Sequence, residues 1–220
     1  LTYSFAGFAI AMLGIALSVR FFKLLFGFPV ALISGALMAT SLWVIFISRI
    51  GVWQTTMPAA AVAPLYFLWR TYRWGRRRDA VLGGIALGLS QYAYYAIRFL
   101  PLLVIALFVV EMARSRARAA RLLEYVAVSL IVFLPEGIYF ARHPDVVMTR
   151  PEQVTIFSSD LARTAANVLA GIRSTAGMFF VIGDYRPWQS IPFHPVFDPV
   201  LAGLFCLGLL LALARWRDRR

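Results

Sequence analysis

Apolar residues fall in long runs, and the polar residues that separate them are mostly arginines and turn formers. The runs cover residues 3–19, 27–47, 55–69, 80–96, 100–113, 122–139 and 198–214. A helix needs about 20 apolar residues to cross a hydrocarbon layer roughly 30 Å thick, and most of these runs approach that length. The pattern predicts an all-α, polytopic transmembrane bundle of seven spans. It divides the chain into a core of six spans over 1–139, an extracytoplasmic loop over 140–197, and a last span with a basic tail over 198–220.

Basic residues set the expected orientation. Arg20 and Lys23 follow the first run, Arg70, Arg73, Arg76, Arg77 and Arg78 the third, Arg114, Arg116, Arg118 and Arg121 the fifth, and Arg215, Arg217, Arg219 and Arg220 the last. Cytoplasmic loops are enriched in Lys and Arg, and these clusters alternate correctly if all are cytoplasmic. The C-terminus is then inside, and the N-terminus and the long loop are outside. A first residue other than Met, with no basic region before it, leads to the expectation that at least one span precedes Leu1.

Local chemistry refines the elements. Pro29 suits the first turn of the second span, and Pro135 is expected to kink the sixth because it lacks an N–H. Gly84 and Gly88 form a small-xxx-small pair that lets another helix approach closely. Within the loop, Leu161, Ala165, Val168, Leu169, Ile172, Ala176 and Phe179 recur at helical spacing. They predict an interfacial helix near 160–182 capped by Ser159. An eighth span there is the rival, but it would bury Arg163, Asn167 and Arg173 and move the terminal arginines outside.

Composition narrows the class. The chain is 61% hydrophobic and only 15% charged, with 18 Phe, nine Tyr and six Trp, and its mean hydropathy is +0.75. Soluble domains lie nearer 45–50% apolar. A formal charge of +12 would suit nucleic acid, but the arginines sit in short clusters between apolar runs, which argues against that partner. Cys206 stands alone inside the last run, so no internal disulfide forms.

There is no HExxH, P-loop, dinucleotide-binding glycine pattern or GxSxG. One Cys and two separated His make no familiar structural zinc site. The candidate chemistry is polar residues at the expected outer face. Arg49 in ISRIG and Arg98 in YYAIRFLP interrupt apolar surroundings near outer helix ends, where a guanidinium can grip a phosphate through directed donors. Each could equally reach the headgroups or pair with a carboxylate. Glu136, beside Pro135, calls for a partner in such a setting. His143 and Asp145 in ARHPDVVMTR, Arg150, Asp184 in IGDYRPW, Arg186, His194 and Asp198 complete the set.

The segments LFGFPVALISGALMATSLWVIFISRIG, GGIALGLSQYAYYAIRFLP, YFARHPDVVMTR and IGDYRPWQSIPFHPVFDPVLAGLFCLGL, in that order, resemble the membrane core of GT-C glycosyltransferases. The likeness is to bacterial family-39-type proteins related to protein O-mannosyltransferases and the aminoarabinose transferase of lipid A, and it covers nearly the whole chain. The resemblance implies a multi-pass enzyme of the bacterial inner membrane. Such an enzyme moves a sugar from a polyprenyl-phosphate carrier to a lipid or protein acceptor at the extracytoplasmic face. It implies carrier-phosphate contact for Arg49 and Arg98, and outer-loop roles for His143, Arg150 and Asp184. A divalent metal is a cofactor that the complete enzyme could take, although no residue here is assigned to it. Ser190 stands where many relatives have Asn. The family's acidic catalytic loop follows a first span that this sequence does not contain, so no catalytic base is named. Two other classes compete. A transporter or flippase predicts midplane charges and inverted repeats, and a scaffold subunit predicts only small-residue helix contacts.

Overall fold

A computed structural model describes residues 2–50, 53–145, 160–183, 185 and 191–214. Nine α-helices are seen among them: α1 (Thr2–Phe26), α2 (Phe28–Thr40), α3 (Leu42–Ile50), α4 (Met57–Trp74), α5 (Arg77–Ser90), α6 (Leu100–Arg114), α7 (Arg116–Arg142), α8 (Leu161–Phe180) and α9 (Pro199–Ala214). Single 3-10 turns, Trp53–Thr56 and Tyr95–Phe99, lead into α4 and α6. The chain forms two compact units, Leu1–Met148 and Thr149–Arg220.

Three helical segments are long and apolar enough to cross a membrane: Phe5–Phe26, Tyr95–Arg114 and Arg116–Arg142. A fourth is gained if α2 and α3 count as one span, although they meet at a bend of 56°. Among the described residues the fold is all-α, and its three or four long apolar helices are consistent with a polytopic membrane bundle. The bend has a local cause. Thr40 Oγ1 donates to Ala36 O at 2.9 Å, and Ser41 takes an extended conformation. Such hydroxyls compete with the backbone ladder and bend helices.

The run 80–96 departs from its expected form, because α5 stops at Ser90. Ser90 Oγ and Gln91 Nε2 both donate to Leu87 O, at 2.7 and 3.1 Å, satisfying a carbonyl that a continuing helix would otherwise use. At 14 residues the helix spans about 21 Å, short of the hydrocarbon thickness.

In the first unit, α5 lies along α7. A Cβ on Gly84 would stand 2.6 Å from Tyr125 O, and one on Gly88 would stand 2.8 Å from Ser129 O and 2.6 Å from Val132 Cβ. The small-residue face is thus a real helix contact, and Gly83 extends it against the Tyr125 ring. Contact positions advance together along both helices, so α5 and α7 run parallel. The buried Tyr125 donates its hydroxyl to Pro64 O of α4 at 2.8 Å, tying a third helix to the pair. Leu68, Ala80, Leu87, Val104 and Leu122 complete this core. α7 continues through Pro135. Pro29 lies in the first turn of α2, after Gly27 with φ 89°.

In the second unit, Asp160 caps α8 by accepting from Ala162 N at 3.0 Å. Ser159, the expected cap, lies outside the described residues. Val196 N and Phe197 N donate to Met178 O and Phe179 O, folding the chain back onto the end of α8. Phe197 then packs between Phe179 and Phe205, with centroids 5.3 Å away in both cases.

Candidate functional site

The turns α4–α5 and α6–α7 lie at one end of the first unit. Arg77 Nε, at the start of α5, meets Glu124 Oε1, in the early part of α7, at 2.6 Å. Arg121 joins the same carboxylate at 2.8 Å. The buried Asp79 takes Arg70 Nε at 2.9 Å, and Arg70 also donates to Tyr66 Oη at 2.9 Å. Glu111, also buried, faces Arg118 Nε at 3.2 Å, off the direction of a hydrogen bond. Exposed Arg73, Arg76, Arg78, Arg114 and Arg116 surround these pairs. This end is basic, and its buried carboxylates each have a cation.

The opposite end of the first unit holds Arg98, Glu136 and His143. α4 runs away from the segment after Arg49, α5 returns, and Arg98 follows α5 in the turn Tyr95–Phe99. Arg98 Nη2 donates to Glu136 Oε1 of α7 at 3.2 Å. Its guanidinium carbon lies 4.3 Å from the Tyr95 ring centroid and 4.7 Å from that of Phe140. Burial and sequence spacing explain the cradle: Glu136 and Phe140 are one helical turn apart on α7, so both face the incoming turn. Aromatic faces attract a guanidinium, and the carboxylate balances its charge. Two buried atoms of the pair have no partner, Arg98 Nε and Glu136 Oε2. Nearby, Tyr92 Oη donates to Val132 O at 3.0 Å, which pins the chain after α5 onto α7 just before Pro135.

Arg98 thus has the carboxylate partner that Glu136 required. Arg49, at the end of α3, is exposed, and no carboxylate pairs with it among the described residues. No hydrogen bond or ring contact joins Arg49 to Arg98. His143 closes α7, its ring stacked on Tyr139 at 4.5 Å with Nδ1 3.0 Å from Tyr139 O. That contact fixes the ring by local helix geometry. Arg150, Asp184 and Arg186 lie outside the described residues.

Asp198 is accounted for structurally: its Oδ1 accepts from Val200 N and Leu201 N at 2.9 and 3.0 Å, which caps α9. His194 is exposed, with Nδ1 2.8 Å from Pro195 O. The second unit also has an open groove of about 890 Å³, lined by Arg173, Ser174, Met178, Ile182, Tyr185 and Phe193 among others. Among the described residues, no three His, Cys, Asp or Glu side chains gather as a metal would require.

Sequence reasoning did not find the aromatic half of the cradle. Tyr95 lies three residues before Arg98, and Phe140 lies four after Glu136. Those spacings were visible, but the pairing of the two segments across 38 residues was not.

The apolar helices are consistent with a multi-pass membrane protein, and its first unit has one basic end and one aromatic end that carries a guanidinium–carboxylate pair. No protein-family model, characterised protein or solved structure matches the chain.

Proposed function

We propose that this chain is the seven-span membrane core of an enzyme that transfers a sugar from a polyprenyl-phosphate carrier at the extracytoplasmic face of a bacterial inner membrane. The observation that carries the reading is the sorting of charge in the first unit. The arginine-rich turns lie at one end, where the positive-inside tendency puts the cytoplasm. Arg49, which pairs with no carboxylate among the described residues, the Arg98–Glu136 pair and His143 belong to the other end, which this reading takes as the outer face.

Arg49 is the better phosphate ligand of the two arginines, because Glu136 already engages the charge of Arg98. A free guanidinium offers a phosphate two parallel N–H donors and stabilises the charge that develops as the carrier leaves. Arg98 then serves the site by holding its outer end together. Arg150 and Asp184 remain loop contacts for the acceptor or carrier, and α8 is taken as the interfacial helix of that loop. A lipid or protein acceptor receives the sugar.

The test is sugar transfer from a polyprenyl-phosphate donor by the full gene product in membranes, with Arg49→Ala and Arg49→Lys compared. Loss of one directed charge-assisted contact, worth about 2–3 kcal/mol, slows transfer about 30- to 150-fold in the alanine variant. Lysine restores only part of the rate, since it keeps the charge and loses the fork. A wild-type rate in Arg49→Ala removes Arg49 from the site, and a full-length protein without transfer activity removes the reading.

A further inference from the structure

At the basic end of the first unit, the carboxylates are already engaged. Asp79 holds Arg70, Glu124 holds Arg77 and Arg121, and Glu111 faces Arg118. Arg73, Arg78, Arg114 and Arg116 are exposed, and none of them pairs with a carboxylate among the described residues. Arg76 is exposed too, with its guanidinium carbon 5.9 Å from the Trp74 ring centroid, a contact that attracts it without balancing its charge. Cations gathered in this way repel one another, so the end gains stability when anions from outside the chain lie against it.

The depth of these arginines on the apolar surface says what kind of anion meets them. Arg114 ends one membrane-length apolar segment, Tyr95–Arg114, and Arg116 begins the next, Arg116–Arg142. Val109, Val110 and Met112, just before Arg114, are exposed and apolar. The surface of α6 therefore changes from apolar to cationic within about one helical turn. On α4 the exposed Trp69 and Trp74 stand on either side of Arg73 in sequence, and indoles favour the layer where hydrocarbon meets water. The connections are short, Gly75 and Arg76 between α4 and α5, and Ser115 alone between α6 and α7. Neither turn extends past the arginines to wall a pocket for a soluble anion. Lipid phosphates lie at the same depth as the cations and need no pocket.

We propose that the basic end of the first unit is a docking surface for acidic phospholipid headgroups, which it selects by number of charges instead of by a shaped pocket. This goes beyond the transferase reading, since it rests neither on Arg49 nor on any transfer. Each basic residue near an acidic bilayer surface raises partition about fivefold. Exchange of one lipid for another reads only the difference between two headgroups, so a smaller factor is expected there.

The experiment places the whole chain in phosphatidylcholine bilayers and reads spin-label EPR from trace phosphatidylglycerol or phosphatidylcholine labelled near the end of one acyl chain. The motionally restricted fraction gives the relative association of the two lipids with the protein. The expected result is a preference for phosphatidylglycerol of about threefold at low salt. It should fall toward one near 1 M salt, where the screening length is about 3 Å. Arg73→Gln, Arg78→Gln, Arg114→Gln and Arg116→Gln combined should also bring it toward one. The same four positions changed to Lys keep the charge and lose the fork, and should keep the preference. Arg142→Gln, at the other end of α7, should leave it unchanged. If the glutamine variant fails to fold, the salt titration of the unmodified chain and the lysine variant still decide. Loss of preference in a folded lysine variant, or competition by inorganic phosphate at constant ionic strength, overturns the proposal in favour of a shaped anion site. A preference that survives in 1 M salt or in the folded glutamine variant overturns it as well. So does an equal loss in Arg142→Gln, which would make the attraction a property of the net charge of the whole chain.

Discussion

The two ends of the first unit use the same residue types for different purposes. At the basic end, carboxylates are outnumbered, and each of Asp79, Glu111 and Glu124 lies against at least one arginine. At the aromatic end, one carboxylate meets one arginine, and the fit is left half open. An excess of arginine makes the exposed Arg77–Glu124–Arg121 contacts replaceable and leaves net charge for a membrane surface. The Arg98–Glu136 pair instead meets two aromatic rings, so ring placement as well as charge fixes it. Charge number governs the first end and geometry governs the second.

Between the two ends lies the contact that holds them in register, and it carries the largest expected effect. Gly88→Leu would drive a side chain into Val132 and into the backbone oxygen of Ser129, which a rotamer change cannot relieve. Overpacking of this kind costs about 3 kcal/mol or more when backbone must move. The bundle should lose its cooperative unfolding in a denaturant titration in mixed micelles. The matched control is Gly208→Leu in α9, where an added Cβ meets nothing within 4 Å. Its stability should change by less than about 0.5 kcal/mol. Equal effects at both glycines would refute the close α5–α7 packing.

A second effect, of comparable size for one partner and smaller for the other, distinguishes the two members of one basic-end pair. Asp79 is 1% exposed, whereas the Arg70 side chain keeps 27% of its surface. Arg70→Met leaves a carboxylate buried without its cation, at a cost of about 3–5 kcal/mol. Asp79→Asn leaves an arginine that can swing toward water while Tyr66 still accepts from it, so about 1–2 kcal/mol is expected. The same titration reads both variants, and a reversed order would mean that Arg70, not Asp79, is the trapped charge.

Much of this arrangement was legible in the sequence. Apolar runs announced the helices, because a lipid-facing segment needs apolar residues on every side. The GGIALG stretch announced a close contact, because only glycine leaves the space that Tyr125 and Val128 fill. Arginine spacing indicated which turns would share an end, and the Arg77–Glu124 pair agrees. The break at Ser41 and the early end of α5 at Ser90 were not legible. Each depends on hydroxyl and amide side chains bonding to carbonyls within a turn, a choice that hydropathy does not register. For the site, Glu136 was recognised as a carboxylate in need of a cation, and Arg98 as a cation in apolar surroundings. Joining them required the fold, since the helix that separates them decides which turn of α7 the arginine meets.

The smallest effect bears on whether the basic end is held by charge number. Arg77 is 77% exposed in its side chain, and Glu124 divides its two oxygens between Arg77 and Arg121. Exposed pairs contribute about 0.2–1 kcal/mol, and neighbouring arginines can stand in when one is lost. Glu124→Gln should therefore lower stability by about 0.5 kcal/mol at low salt. The loss should shrink toward zero near 1 M salt, where the screening length falls to about 3 Å. The Arg70→Met loss should persist under the same salt, because burial shields that pair from counterions. If Glu124→Gln keeps its full effect at high salt, the Arg77–Glu124–Arg121 triad is an ordered junction between α5 and α7, and the contrast drawn between the two ends fails at that point.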